Sequence, residues 1–327
     1  MFNIFLPKCC RPYKRLQLDN IIPAPTIIPA PTIIQEIPNN DELQLKFNHI
    51  IEIIKNNEYI RKFKCIKSYQ LNVLGVFYYK QCIIRIDSTE NDVCQNEQKM
   101  MSLLETGINN SINIVLPYIV ESINEKVIIS IQPFIGNSVT LDRWVSDNYH
   151  SCQNHRIIIP LFIKICKLLH HLHSHNIVHG DIKPGNILIQ YPSNEPYIID
   201  FGMAGIADES IGTGGTGIFC HPSTGNNTAV YNTDYSWNTI QIEYDIWSIG
   251  FIFLTIILYK KCLQTLDVFP PPLFTDGGYI NFSYVKQNGA ITNFRLIEIF
   301  EYILCITPDW KDMNDIIIKL EKYTAEC

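Results

Sequence analysis

From Ile246 to Tyr259 the chain runs fourteen residues without a charged side chain. As a helix this stretch is about 21 Å long, short of the roughly 30 Å of a bilayer's hydrocarbon core. A segment apolar on every side has to be enclosed by other elements, so the chain must build a core around it as a buried helix. The 327 residues, 46% of them hydrophobic, suffice for one large domain or two lobes.

Charge and cysteine content narrow the function classes. With 26 basic against 32 acidic residues the formal net charge is -6, which argues against coating nucleic acid or an anionic membrane by bulk charge; no nucleic-acid partner is expected. The eleven cysteines are odd in number and form no Cys-x-x-Cys pair, and no secretory signal opens the chain. A reduced, cytoplasmic protein is expected, and a monomer. Heavy use of Ile and Asn fits an AT-rich viral or parasite genome, in which case the cytoplasm is the host's.

Three regions differ in pattern. Residues 1–40 are read as an extension without a packed fold. Within them Ile21–Ile34 carries Ile-Ile-Pro-Ala-Pro-Thr twice, whose alternating prolines forbid helix and favour extended polyproline II, a stiff arm or a ligand for a proline-reading domain. Ahead of it Cys9 and Cys10 lie between apolar residues and Lys8, Arg11, Lys14 and Arg15. That pattern suits S-palmitoylation and a peripheral membrane contact, although a plain tail is the simpler reading. Residues 41–132 read as a helix followed by short strands at Phe63–Tyr69, Val73–Lys80, Gln81–Asp87, Asn113–Val120 and Lys126–Phe134, with a helical stretch at Asn91–Thr106. Residues 133–327 read as mostly helical: Leu141–Ser146, Arg156–His173, Ile246–Leu263, Phe294–Ile306 and Asp312–Tyr323. The fold class expected is α+β, a small antiparallel-sheet lobe ahead of a larger helical lobe.

Chemistry concentrates in His179-Gly180-Asp181-Ile182-Lys183-Pro184-Gly185-Asn186 and, beyond a short hairpin, Asp200-Phe201-Gly202. Asp, Lys and Asn within six residues, with a second Asp nearby, suit a phosphate site in which one carboxylate orients an attacking hydroxyl and others hold divalent metal. Here the sequence resembles the eukaryotic-type protein kinases, from about Phe63 to Tyr323. The resemblance implies a bilobal kinase fold with a small antiparallel-sheet N-lobe and a larger helical C-lobe. It also implies ATP with Mg2+ or Mn2+ as cofactors, a protein substrate, and a Ser/Thr rather than Tyr acceptor because of Lys183 and Thr216. By the same resemblance Asp181 is the catalytic base and Lys183 contacts the transferred phosphate. Asn186 and Asp200 hold metal, and His179, Phe201, Gly202, Thr216 and Asp245 support the site. The resemblance also implies that Asp245 opens the buried helix and accepts backbone N–H bonds from the catalytic loop.

Several positions depart from the family pattern. Arg85, in Cys82-Ile83-Ile84-Arg85, stands where a lysine would contact ATP, with Glu97 as its partner. Ser68–Tyr79 contains only Gly75 where a glycine-rich loop is expected. ATP would then lean on adenine contacts, with the Gln132 carbonyl and the Phe134 amide as candidates. Gly180 replaces the arginine that docks a phosphorylated activation segment, so phosphorylation at Ser210, Thr213 or Thr216 is not expected to be the main switch. His221-Pro222-Ser223 lacks the usual closing glutamate, and Lys311 stands in place of its arginine partner. Two alternatives stay open: a catalytically weak pseudokinase acting as a scaffold, and a small-molecule phosphotransferase of the aminoglycoside or choline kinase type. The histidines at 170, 171, 173 and 175 lack the spacing of a metal site and are read as helix-end residues.

Overall fold

The computed structural model describes residues 48–54, 64–68, 75–79, 81–88, 96–100, 103, 113–115, 117, 119–124, 127–148, 155–209, 216–222, 240–259, 273–275, 278–288, 291–304 and 312–326. The proline arm, Cys9 and Cys10, the turn before Gly75, Ser210, Thr213, the insertion from Ser223 and Thr307–Lys311 lie outside the described residues.

The β-branched and aromatic runs form a five-stranded antiparallel sheet. Its strands are β1 (Lys64–Ser68), β2 (Gly75–Tyr79), β3 (Cys82–Ser88), β4 (Ile119–Asn124) and β5 (Val127–Pro133), in the order β1-β2-β3-β5-β4. Tyr79 pairs with Cys82, so β2 and β3 join through a two-residue turn in which Gln81 takes φ +64°. Strand β5 pairs with β3 from Cys82↔Pro133 to Ser88↔Val127, which leaves β4 the edge. The strand expected at Asn113–Val120 is displaced to Ile119–Asn124. The earlier backbone is taken by another partner: Val115 N–H donates to the Ile198 carbonyl (2.9 Å), and Ile198 N–H donates to the Asn113 carbonyl (3.0 Å). Two short helical segments belong to the same half of the chain. In α1 (48–54) Ile50, Ile51, Ile53 and Ile54 are buried, and α2 (96–100) buries Glu97 and Met100.

The second half is helical as expected, with α3 (Leu141–Asp147), α4 (His155–Ser174), α5 (Ile242–Tyr259), α6 (Phe282–Asn288), α7 (Phe294–Leu304) and α8 (Met313–Glu326). Every residue of α5 from Asp245 to Leu258 is buried. Phe162 of α4 stacks on Phe253 with ring centroids 4.2 Å apart and faces Phe300 of α7 at 6.1 Å. Both α4 and α5 are long and apolar enough to cross a membrane, and both are packed into this core. Helix α6, absent from the sequence reading, starts after Asn281, whose side-chain oxygen accepts the Tyr284 amide at 3.2 Å, a capping bond.

Short strands, all but β6 lying between α4 and α5 in sequence, position the chemistry. Strands β6 (Ser138–Thr140), β8 (Ile187–Gln190) and β9 (Glu195–Ile198) form one small sheet, while β7 (Ile177–Val178) pairs with β10 (Gly205–Ile206). The pair Ile187↔Ile198 opens the β8–β9 hairpin, and Ile199 N–H donates to the Asn186 carbonyl at 3.0 Å. Antiparallel pairing therefore places Asn186 opposite Ile199, next to Asp200, although they are far apart in sequence.

Candidate active site

The loop after β7 is held from below by one buried carboxylate. Asp245, fully buried at the start of α5, accepts the amides of His179 (2.8 Å) and Gly180 (3.0 Å) and lies 3.0 Å from His173 Nε2. Three donors satisfy the oxygens of this buried carboxyl group. His179 is equally constrained: its Nε2 lies 3.0 Å from the Ile199 carbonyl, and the Asp181 amide donates to Nδ1 at 3.3 Å. Its ring packs on buried Phe201 at 4.9 Å. Gly180 has φ +75°, and a Cβ there would lie 2.5 Å from the Met203 carbonyl oxygen. The missing arginine is thus also a conformational requirement: only glycine fits where the two loops press together.

At the front of the loop four expected residues meet. Lys183 Nζ donates to Asp181 Oδ2 (2.5 Å) and to Thr216 Oγ1 (2.9 Å), while Thr216 Oγ1 donates to Asp181 Oδ1 (2.6 Å). Asn186 Nδ2 donates to the Asp181 carbonyl (2.9 Å) and to Oδ2 (3.2 Å). With its amide nitrogen so engaged, Asn186 turns Oδ1 to other work. Neither that atom nor Asp200 Oδ2 accepts a hydrogen bond from any described residue. Carboxylate and amide oxygens suit a hard divalent cation, so the residues present fit Mg2+.

The third group joins the sheet to this loop. Arg85 on β3 forks: Nη1 lies 2.9 Å from Glu97 Oε1, and Nη2 lies 3.1 Å from Asp200 Oδ1. Ser130, directly opposite Arg85 on β5, donates to Glu97 Oε2 at 3.3 Å. The two carboxylates sharing the guanidinium respond differently. The side chain of Glu97 is 1% exposed, and burial, only partly offset by Arg85, raises its pKa to about 7. The side chain of Asp200 is 33% exposed. Burial pushes it up, but Arg85, with help from His179 and Lys183, outweighs that and holds it below the usual carboxylate value. Asp200 is therefore ionised at neutral pH, with left-handed backbone at φ +68°. Asn96, beside Glu97, points its amide nitrogen at the carbonyls of Phe201 (3.4 Å), Gly202 (3.2 Å) and Ala204 (2.6 Å).

The hinge differs from expectation. The Phe134 amide donates to the Gln81 carbonyl at 3.0 Å, because the tight β2–β3 turn carries the β3–β5 pairing one residue past Pro133. Antiparallel ladders alternate, so Gln132, paired with Ile83, also directs its backbone groups at β3. Neither the Gln132 carbonyl nor the Phe134 amide is thus offered to a base. By the same alternation the Pro133 carbonyl faces away from β3. Tyr78 packs edge-on against Phe134 at 4.9 Å. Gly75 lies at the start of β2, pairing with Ile86, one position from the Val76↔Arg85 pair. His221 is enclosed by the rings of Trp247 (5.3 Å), Tyr244 (5.9 Å) and Tyr279 (6.0 Å). Three contributors escaped the sequence reading. Ser130 was legible as a lone hydroxyl in the apolar run of β5, and Asn96 as a polar neighbour of Glu97. His173 carried no signal beyond its place at the end of α4.

Comparison with known proteins supplies the lineage. The sequence matches the protein kinase domain over residues 64–268. It is 24% identical over 214 residues to serine/threonine-protein kinase 17A of Oryctolagus cuniculus, which covers 64% of this chain and 50% of that protein. With mitogen-activated protein kinase hog1 of Blastobotrys adeninivorans it shares 33% identity over 116 residues, 35% of this chain and 26% of that one. The chain thus spans half or less of the length of these curated relatives. Among solved structures, the Cydia pomonella granulovirus kinase PK-1 is similar in fold, with a TM-score of 0.53 at 16% identity over 82% of this chain and 97% of that one. The matched segment exceeds half of the 327 residues and contains both the Asp181 loop and Asp200-Phe201-Gly202, and on that ground the chain belongs to the protein kinase domain family.

Proposed function

We propose that this chain is an ATP-dependent Ser/Thr protein kinase that transfers the γ-phosphate to a protein hydroxyl. The observation that carries the reading is the Asp181 cluster. One carboxylate is fixed by Lys183, Asn186 and Thr216, and Asp200 stands at the neighbouring end of the hairpin. Asp181 would accept the hydrogen bond of the incoming hydroxyl and orient its oxygen, with Lys183 drawing close to the phosphate oxygens. Mg2+ or Mn2+ would be held by Asp200 and Asn186 Oδ1, where a divalent cation neutralises charge on the phosphate oxygens. The Thr216 hydroxyl bonds both Asp181 and Lys183, which supports an acceptor of its own kind, an aliphatic hydroxyl on a protein.

The test is transfer of labelled γ-phosphate from Mg-ATP to the chain itself and to a generic Ser/Thr protein acceptor, with Asp181→Asn alongside. Transfer that falls at least about a hundredfold in the variant supports the reading. Equal transfer by both proteins sinks it.

A second reading, a nucleotide-poor scaffold, is favoured by Arg85, whose bond to Asp200 occupies one oxygen of the proposed metal ligand. Thermal stabilisation by ATP that requires Mg2+ speaks for the enzyme. No shift with ATP and either metal speaks for the scaffold.

A further inference from the structure

We infer that Asn96 is a positioning residue: it clamps the loop that carries Asp200 onto helix α2. The inference rests on the kinase reading for its catalytic consequence, but not for the contact itself. Three carbonyls, of Phe201, Gly202 and Ala204, face the Asn96 amide nitrogen at 3.4, 3.2 and 2.6 Å. Surroundings made only of acceptors require the donor end of the amide, so the orientation of the side chain is fixed by chemistry.

The next residue along the helix grips the same loop by a different group. Glu97 holds Arg85, which holds the Asp200 carboxylate. Asn96 thus fixes the backbone after Asp200 while Glu97, through Arg85, fixes its side chain. Gly180 presses against the Met203 carbonyl of the same loop, with no room for a Cβ. The loop from Asp200 to Ala204 is therefore held at several points, and Asp200 keeps a left-handed backbone within it.

The experiment uses the full chain without nucleotide and follows amide hydrogen exchange. The Ala204 amide, bonded to the Phe201 carbonyl, and the amides of β10 report on the loop; those of α5 report on the fold as a whole. Two variants remove the donor, Asn96→Asp with an added charge and Asn96→Ala without one. The expected result for both is exchange faster by about tenfold at Ala204 and β10, the loss of roughly one side-chain hydrogen bond, with α5 unchanged. Unchanged exchange at Ala204 in either folded variant overturns the inference, as does equal acceleration in α5, which would mean general destabilisation. Because no phosphate transfer is needed, a chain that proves inactive still decides the question. In an active chain kcat should fall about tenfold in both variants with the KM for ATP little changed; an increase confined to KM would also overturn the assignment.

Discussion

At the scale of single residues, the site is governed by how one guanidinium is divided. Arg85 reaches two carboxylates because its fork is planar and presents donors in two directions, which a lysine ammonium on a single stem does less well. Glu97 is the more buried of the two, and burial there prevails. A pKa of about 7 in the folded protein, against 4.5 for an ordinary glutamate, means that the folded state takes up a proton the unfolded state has released. Stability contributed by that proton is complete below pH 4.5 and is lost as pH rises through about 7, an effect on the order of 3 kcal/mol. The opposite contribution from Asp200 falls at and below 3.8, outside this window. Glu97→Gln, which cannot ionise, should therefore show a flatter dependence of Tm on pH between 4.5 and 7.5 than the parent, by calorimetry. Parallel curves would mean that Glu97 titrates as an exposed carboxylate does.

At the scale of elements, close approach sets what each helix tolerates. Helix α7 crosses α5 at Gly250, where a Cβ would lie 2.3 Å from Ile303 Cγ2. Alanine gains about 1 kcal/mol over glycine by helix propensity, but overpacking costs roughly 1–3 kcal/mol, and a β-branched isoleucine has few rotamers to escape into. Gly250→Ala should thus be net destabilising, lowering the urea midpoint; a higher midpoint would show that α7 yields. Such approaches are invisible in sequence, which is why the existence of α5 was legible while its partner was not. The strands β1, β2, β3 and β5 were legible because β-branched residues cluster between turn residues. The displaced β4 was not, because Asn113 and Val115 satisfy their backbone groups on β9, a contact no local pattern announces. The hinge was misread for a related reason: alternation along β5 is fixed by where β3 begins pairing, and the tight turn at Gln81 moves that start by one residue.

At the scale of the whole molecule, the clustered motifs were legible because their chemistry requires particular residue types in order, from Asp181 through Asn186 to Asp200. What the sequence could not convey was the manner of assembly, in which Asp245, Asn96 and Arg85 draw α5, α2 and β3 onto one loop. None of the contacts described for these three residues uses a hydroxyl that could carry a phosphate. Treatment with phosphatase should therefore change the rate of phosphate transfer by less than about twofold, since no cation stands at position 180 to receive a phosphate. A loss of an order of magnitude would point to a docking partner elsewhere in the chain.

The uniformly apolar α5 also bears on how the protein is made. It emerges from the ribosome before Phe294–Leu304, the segment that covers it at Gly250, has been synthesised. For that interval α5 has only earlier elements, α4 among them through Phe162 and Phe253, to shelter it, so the nascent chain passes through a stage that invites chaperones or self-association. A chain truncated between Tyr259 and Phe294 would be arrested at that stage, and its failure would be one of solubility before it was one of catalysis.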